Sequence, residues 1–304
     1  MKRKLIKQGE AYTLTLPIKW IRSLNLSPSE EVDISEIEGN LLISTKPHQI
    51  KKEISVDLTS DQEFYVRPFL NALYWSGYDK LKIKYKTIKQ KKVIHPIIDN
   101  YFWGFEVVED KDNTLVAESV SEPVEEKIEI IFNRIFFMIK ETFNLIKEDL
   151  SSNNYENINQ VINFTKKVNQ YNNFCRRAYV KQRISDNKLI YRWEFLVKIL
   201  YIQYSLLHLY ETLDKDKPQK ISKKTTKTFA LIQELFDKLY SAFSKNEIKI
   251  IQEINTGAID CLYNDIHKQM RTSQGTETLI LYYFGELTRL INLINTPLIA
   301  LIHK

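Results

Sequence analysis

Three sets of residues in this 304-residue chain have the types and spacing to do chemistry. The first is basic. Arg3, Lys4, Lys7, Lys19 and Arg22 stand with Lys2 in residues 1–24 against a single acid, Glu10, a balance of 6 − 1 = +5. Residues 25–45 hold five acids (Glu30, Glu31, Asp33, Glu36, Glu38) and no base, a balance of −5. A segment polarised in this way offers a cationic edge to phosphate, the footprint of a nucleic-acid contact. The plainer alternative is that lysines on a short terminal strand serve solubility alone.

The second set is Lys166, Arg177 and Lys181, which spacings of eleven and four bring near one helix face, with Lys167 and Arg176 beside them. Such a stripe is either a solvated face or a surface that meets an acidic partner or anionic headgroups. The third is Asp260 with Asp265. Hard cations require clustered carboxylate oxygens, so two aspartates predict a weak single-ion site at most, and a solvated helix face otherwise. His208 and His267 stand alone and predict surface or core histidines rather than ligands.

The motifs of catalysis are missing. There is no Walker loop, no glycine-rich dinucleotide turn, no Gly-x-Ser-x-Gly and no His-Glu-x-x-His. With 7 glycines in the whole chain, phosphate-cradling loops are scarce. Cys175 and Cys261 both fall in helical patterns, so neither a disulfide framework nor a zinc cluster is expected. The expectation is a protein that is not an enzyme and carries no cofactor. A net charge of +6 permits a polyanionic partner without requiring one. No secretory pattern opens the chain and no stretch approaches about 20 uninterrupted apolar residues, which predicts a soluble, cytoplasmic protein without a membrane span.

The elements that must carry these residues fall into three parts. In residues 1–50, Leu5–Lys7 and Tyr12–Leu16 read as strands joined at Gly9. Pro17 opens a short helix with Ile18, Ile21 and Leu24 on one face, and two further strands flank a turn at Glu38-Gly39-Asn40. So few short strands cannot close a core alone, so a partner chain is expected. The segment KQGEAYTLTLPIKWIRSLNLSPSEEVDISEIEGNLLIS resembles the swapped-hairpin DNA-binding domain of AbrB, SpoVT and MazE-type regulators. It has a basic first strand, a strand ending in Leu-Pro, a short helix ending in Leu, a Pro-x-Glu-Glu-Val turn and Gly-x-Leu-x-Ile. The resemblance implies a homodimer of interleaved hairpins that closes a small β-barrel, with Arg3, Lys4, Lys7, Lys19 and Arg22 as contacts to double-stranded DNA.

Residues 51–120 alternate element types in the order β-α-β-α-β-β, which predicts a small α/β domain with an antiparallel edge. Within it, YWSGYDKLKIKY reads as a helix stop at Gly77 followed by a strand, with no chemistry of its own. Residues 121–304 carry six helical stripes, and these are two copies of three, about 121–213 and 214–304. A shift of 92 places Gln160 on Gln252, Asn163 on Asn255, Tyr171 on Tyr263, Leu189 on Leu281 and Glu194 on Glu286.

A tandem three-helix repeat behind an AbrB-like hairpin resembles the archaeal phosphate-uptake regulators related to PhoU. The resemblance implies acidic motifs that hold multinuclear metal on the bundle surface. The residues do not supply them. NFTKKVNQYNNFCRR has Asn163, Lys166, Lys167 and Asn169 where carboxylates would stand, Tyr201 and Ser205 follow in the third helix, and the second copy offers Asn292 and Thr296. No metal is expected in the first copy. The fold class expected is mainly α and multidomain: a swapped-hairpin head, a small α/β middle and a PhoU-like six-helix body. The function expected is a DNA-binding transcriptional regulator of phosphate uptake. The rival is a dimeric adaptor that modulates a membrane transporter or sensor kinase without touching DNA.

Overall fold

The structure, a computed structural model, describes residues 2–37, 40–45, 51–121, 125–181 and 188–303. The chain separates into two compact units, 1–50 and 51–304. In the first, β1 (Ile6–Gln8) and β2 (Ala11–Thr13) form an antiparallel hairpin whose turn needs the positive φ of Gly9. α1 (Ile18–Ser23) follows Pro17, which sits at its N-cap. β3 (Val32–Ile37) pairs antiparallel with β4 (Asn40–Thr45); Glu38 and Gly39 of the expected turn lie outside the described residues.

β2 stops at Thr13 rather than Leu16, because β1 offers three ladder partners and Leu14 to Leu16 have none among the described residues. The unit holds two separate two-stranded sheets and no closed barrel among the described residues. None of its described side chains is fully buried, and Leu5, Ile6, Tyr12, Leu14, Ile18, Ile34 and Leu41 are exposed.

The second unit is mainly helical and begins with the expected alternation: β5 (Glu53–Asp57), α2 (Glu63–Trp75), β6 (Lys80–Lys84), α3 (Ile88–Tyr101), β7 (Phe105–Lys111) and β8 (Thr114–Ser119). The sheet order is β5-β6-β8-β7, parallel at its first pair and antiparallel at the other two. β6 reads KLKIK, and its period of two buries Leu81 and Ile83 against α2 and α3 through Leu70, Tyr74, Ile94 and Ile98. Two of its three lysines carry cross-strand ion pairs, Lys80 to Glu118 at 2.6 Å and Lys82 to Glu53 at 3.0 Å. A capping box sets the start of α3. The Thr87 hydroxyl accepts from the Gln90 amide at 3.2 Å, while the Gln90 side chain accepts from the Thr87 amide at 3.1 Å. The β7–β8 turn places Asp112 and Asn113 both at positive φ, which these two residue types tolerate.

The helical part comprises α4 (Glu125–Ser152), α5 (Ile158–Lys181), α6 (Leu189–Asp216), α7 (Lys223–Lys245), α8 (Ile248–Asp260), α9 (His267–Met270), α10 (Thr276–Leu293) and α11 (Asn295–Ile302). A π-turn, Cys261–Ile266, joins α8 to α9, so that pair forms one of the six expected helical stretches. The sixth stretch is broken after Leu293. Pro297 has no N–H to offer the Leu293 carbonyl, and the helix restarts as α11. One shared core joins both copies, with Phe132, Phe136, Phe143, Phe195, Phe229, Phe236 and Phe284 at its centre. The sequence identities at a shift of 92 do not set the packing of the middle helices. Buried Val161, Thr165 and Val168 of α5 match buried Ile254, Ala258 and Cys261 at a shift of 93. No helix among the described residues is long and apolar enough to cross a membrane.

Candidate functional site

The five N-terminal cations stand where they are available. Arg3 and Lys4 lead into β1, Lys7 lies on it opposite Tyr12, and Lys19 and Arg22 are three apart on α1. All five are exposed, and no ion pair holds any of them among the described residues. Arg22 sits in the last turn of α1, where the helix dipole favours a cation. Exposed lysine and arginine without a carboxylate partner give up only water and counterions when they meet phosphate.

The stripe on α5 turns out differently. Lys166 is exposed, but Arg177 is 1% exposed and faces inward. Its Nη1 donates to the carbonyls of Tyr74 at 3.0 Å and Tyr78 at 2.7 Å, and its Nη2 donates to Asp79 Oδ1 at 2.8 Å. The guanidinium lies over the rings of Tyr74 and Phe105. The Lys181 ammonium donates to the same Asp79 oxygen, and the Lys52 amide donates to Oδ2 at 3.0 Å. Burial alone would raise the Asp79 carboxyl. The Lys181 bond, the Lys52 amide and the Arg177 charge outweigh that and hold it below the ordinary value.

Arg177 and Lys181 therefore do not form a surface for an acidic partner, nor a solvated face. Their acid is internal, at the start of β6, and they fasten α5 to the α/β layer. The segment read as a bare helix stop supplies that acid. Gly77, at positive φ, clears the way, because a Cβ there would lie 3.2 Å from Lys181 Cγ.

The rest of the seam is amide and aromatic. Asn173 Nδ2 donates to Asn71 Oδ1 at 3.3 Å and to the Tyr101 carbonyl at 3.2 Å, while its Oδ1 accepts from Trp75 Nε1 at 3.0 Å. Arg176 packs over Trp75 and Trp193, its Cζ 4.6 Å and 5.1 Å from their ring centroids. Asp79, Trp75 and Asn173 do not stand out in the sequence as members of this seam. The signal available was an aspartate just after a helix-stopping glycine, which identifies a turn without naming its partner.

The carboxylates of the second copy lie apart from all this. Asp260 is exposed and accepts from Asn264 Nδ2 at 2.6 Å. Burial, with Asp265 adding to it, pushes the Cys261 thiol up to about 12. Among the described residues no three His, Cys, Asp or Glu side chains come together as metal ligands. His208 is exposed beside Glu211 at 3.0 Å. Deep in the first copy, Asp149 accepts from Tyr210 and from Asn157 Nδ2 at 3.1 Å, and Gln203 bridges Thr142 and Thr165 at 3.2 Å and 2.9 Å. These buried polar groups satisfy one another, which is what a packed interior demands. The chain matches no family model, and no curated protein or solved structure matches it either.

Proposed function

We propose that the protein is a non-enzymatic regulator that binds double-stranded DNA as a homodimer through residues 1–50. The observation that carries this reading is the state of that unit: among the described residues, five exposed cations without an ion pair and no fully buried side chain. A second copy supplies the missing interior by interleaving hairpins, which closes the barrel over residues such as Leu14 and Ile34 and gathers both sets of cations on one face. The resemblance to AbrB-like and PhoU-related proteins adds the rest of the proposal. The helical body is the sensing or partner-binding part, and the regulated process is phosphate uptake in the cytoplasm.

Titration of labelled duplex DNA at several salt concentrations tests the reading. Log K is expected to fall linearly with log salt, with a slope of about −0.9 for each phosphate neutralised. A flat or absent response favours the second reading, a dimeric adaptor that modulates a membrane transporter or a sensor kinase. One observation speaks for that alternative: Ile259 and Tyr263 on the α8 to α9 stretch, and Leu279 and Tyr282 on α10, are large apolar or aromatic side chains left exposed.

A further inference from the structure

The seam between α2, α5 and α6 holds a cation with no acid to answer it. Arg176 is 5% exposed, its Nε is buried without a hydrogen-bond partner, and among the described residues it takes part in no ion pair. Its neighbours are Trp75 and Trp193, with the phenols of Tyr201 and Tyr204 the ionisable groups that act on it. Burial lowers its affinity for the proton, to about 10. A second arginine stands on the same seam: Arg67 donates to the Tyr101 hydroxyl at 3.1 Å, and Tyr204 acts on it too. Its one carboxylate, Glu63, is 3.9 Å away and largely exposed. Arg177, one residue on from Arg176, has its own aspartate, so the missing partner is particular to Arg176.

A second orphan fixes the chemistry further. Asn172, one helical turn before Arg176, is fully buried, and its Nδ2 donates to the Leu196 carbonyl at 2.6 Å. That bond fixes the orientation of the amide and leaves Oδ1 a buried acceptor without a donor. A group that answers both orphans must accept from a guanidinium and donate to an amide oxygen. Hydrogen phosphate does both and brings the negative charge that two arginines call for. Sulfate at neutral pH accepts only. A water molecule does both but leaves the charge of Arg176 unanswered.

We propose that this seam is a binding site for a small oxyanion that carries a proton, of the hydrogen-phosphate type, held by Arg176 with Arg67 and hydrogen-bonded to Asn172. The near-complete burial of Arg176 favours a free anion over an ester. The proposal does not rest on the DNA-binding reading, since all of its residues lie in the second unit.

Trp75 and Trp193 report on the site directly. Intrinsic fluorescence of the full chain is titrated with inorganic phosphate, sulfate and chloride at matched ionic strength. Phosphate is expected to give a saturable change, with sulfate weaker by about tenfold, the size expected when one buried acceptor is left unpaired. Arg176→Met is expected to abolish the response and Lys166→Met to leave it unchanged. No saturable phosphate response, equal responses to phosphate and sulfate, or a response that survives Arg176→Met overturns the proposal. The first of these results assigns a water to the two orphans. Where Arg176→Met does not fold, Arg67→Met decides: weaker phosphate binding supports the site, and unchanged affinity overturns it.

Discussion

The two basic runs of this chain look alike as sequence and differ in everything that structure adds. Arg3, Lys4, Lys7, Lys19 and Arg22 are exposed and, among the described residues, without ion pairs, on a unit none of whose described side chains is fully buried. Arg177 and Lys181 converge on one buried aspartate that lies about a hundred residues earlier in the chain, and Arg176 lies between indoles. The difference teaches that a cation's role is set by what packs on its face. Within the first unit no described side chain covers the basic edge, and its charges are exposed. On α5 the α2–α3 layer covers the helix, and a charge that cannot reach water must find an acid, a carbonyl or an aromatic face. The corresponding stretch of the second copy shows the bare version, because no α/β layer lies on it and Ile259 and Tyr263 are exposed.

The strongest way to break the comparison is to remove the acid from the buried run. Asp79→Ala leaves Arg177 charged and nearly inaccessible, and is expected to destabilise the second unit by about 3–5 kcal/mol, read from urea unfolding. Adding Arg177→Met to that variant is expected to recover much of the loss, because the penalty comes from the uncompensated charge. If Asp79→Ala costs less than the roughly 1 kcal/mol of an exposed pair, the two runs do not differ as described.

The matching change in the exposed run should leave stability alone and act on binding. Lys4→Glu with Lys7→Glu is expected to abolish measurable DNA binding at moderate salt while the unfolding midpoint stays put, since neither lysine is in an ion pair among the described residues. Single neutral substitutions sharpen the test. Each is expected to reduce the salt slope by about one phosphate contact and to weaken binding evenly across sequences. Binding that survives the double reversal would place the DNA face elsewhere.

Much of this was legible in the sequence. The β-α-β-α-β-β order followed from alternation in stretches such as Leu81 and Ile83, and from glycine stops at Gly77 and Gly104. The helical stripes followed from series such as Ile128, Ile131, Phe132 and Ile135. These signals are local, because each residue's neighbours in sequence are also its neighbours on a strand or helix face. The outcome at Arg177 was not legible. Its partner Asp79 stands 98 residues away, and no local pattern tells whether a second layer will cover a helix face. The one-residue difference between the repeat shift of 92 and the packing shift of 93 has a similar origin. In the middle helices, matches such as Gln160 with Gln252 fall on outward positions, which do not record how the core is packed.

A smaller effect separates the runs in acid. The folded-state carboxyl of Asp79 lies below its unfolded value, so its contribution is complete above the ordinary aspartate range, about pH 4, and is lost as pH falls through the folded value. Asp110 acts the same way. Burial opposes its ionisation, and hydrogen bonds from Lys91, Tyr85 and His95 overcome that to hold it at about 2. The second unit is therefore expected to lose stability between about pH 4 and pH 2. Asp79→Asn is expected to be less stable at neutral pH and flatter across that window, as followed by circular dichroism. A wild-type curve with no slope there would mean that neither carboxylate is held by its partners.

The smallest expected effect is on the second unit when the first is removed. Both apolar cores are built from residues of 51–304, the larger from α4 to α11 and the smaller from α2, α3 and the sheet, with Ile54 and Val56 of β5 packed against it. Their stability is therefore expected not to draw on the N-terminal hairpins, since sites that share no partners act independently to within about 0.5 kcal/mol. A chain of residues 51–304 should unfold at the same urea midpoint as the full chain, within that margin. Its mass by light scattering should fall from dimer to monomer, since the proposed dimer contacts have gone with residues 1–50. A fragment that is insoluble, or whose midpoint drops well beyond the margin, would show that the second unit leans on the first. A fragment that stays dimeric would move the dimer contact to the helical body, where exposed Ile259, Tyr263 and Tyr282 are the first residues to test.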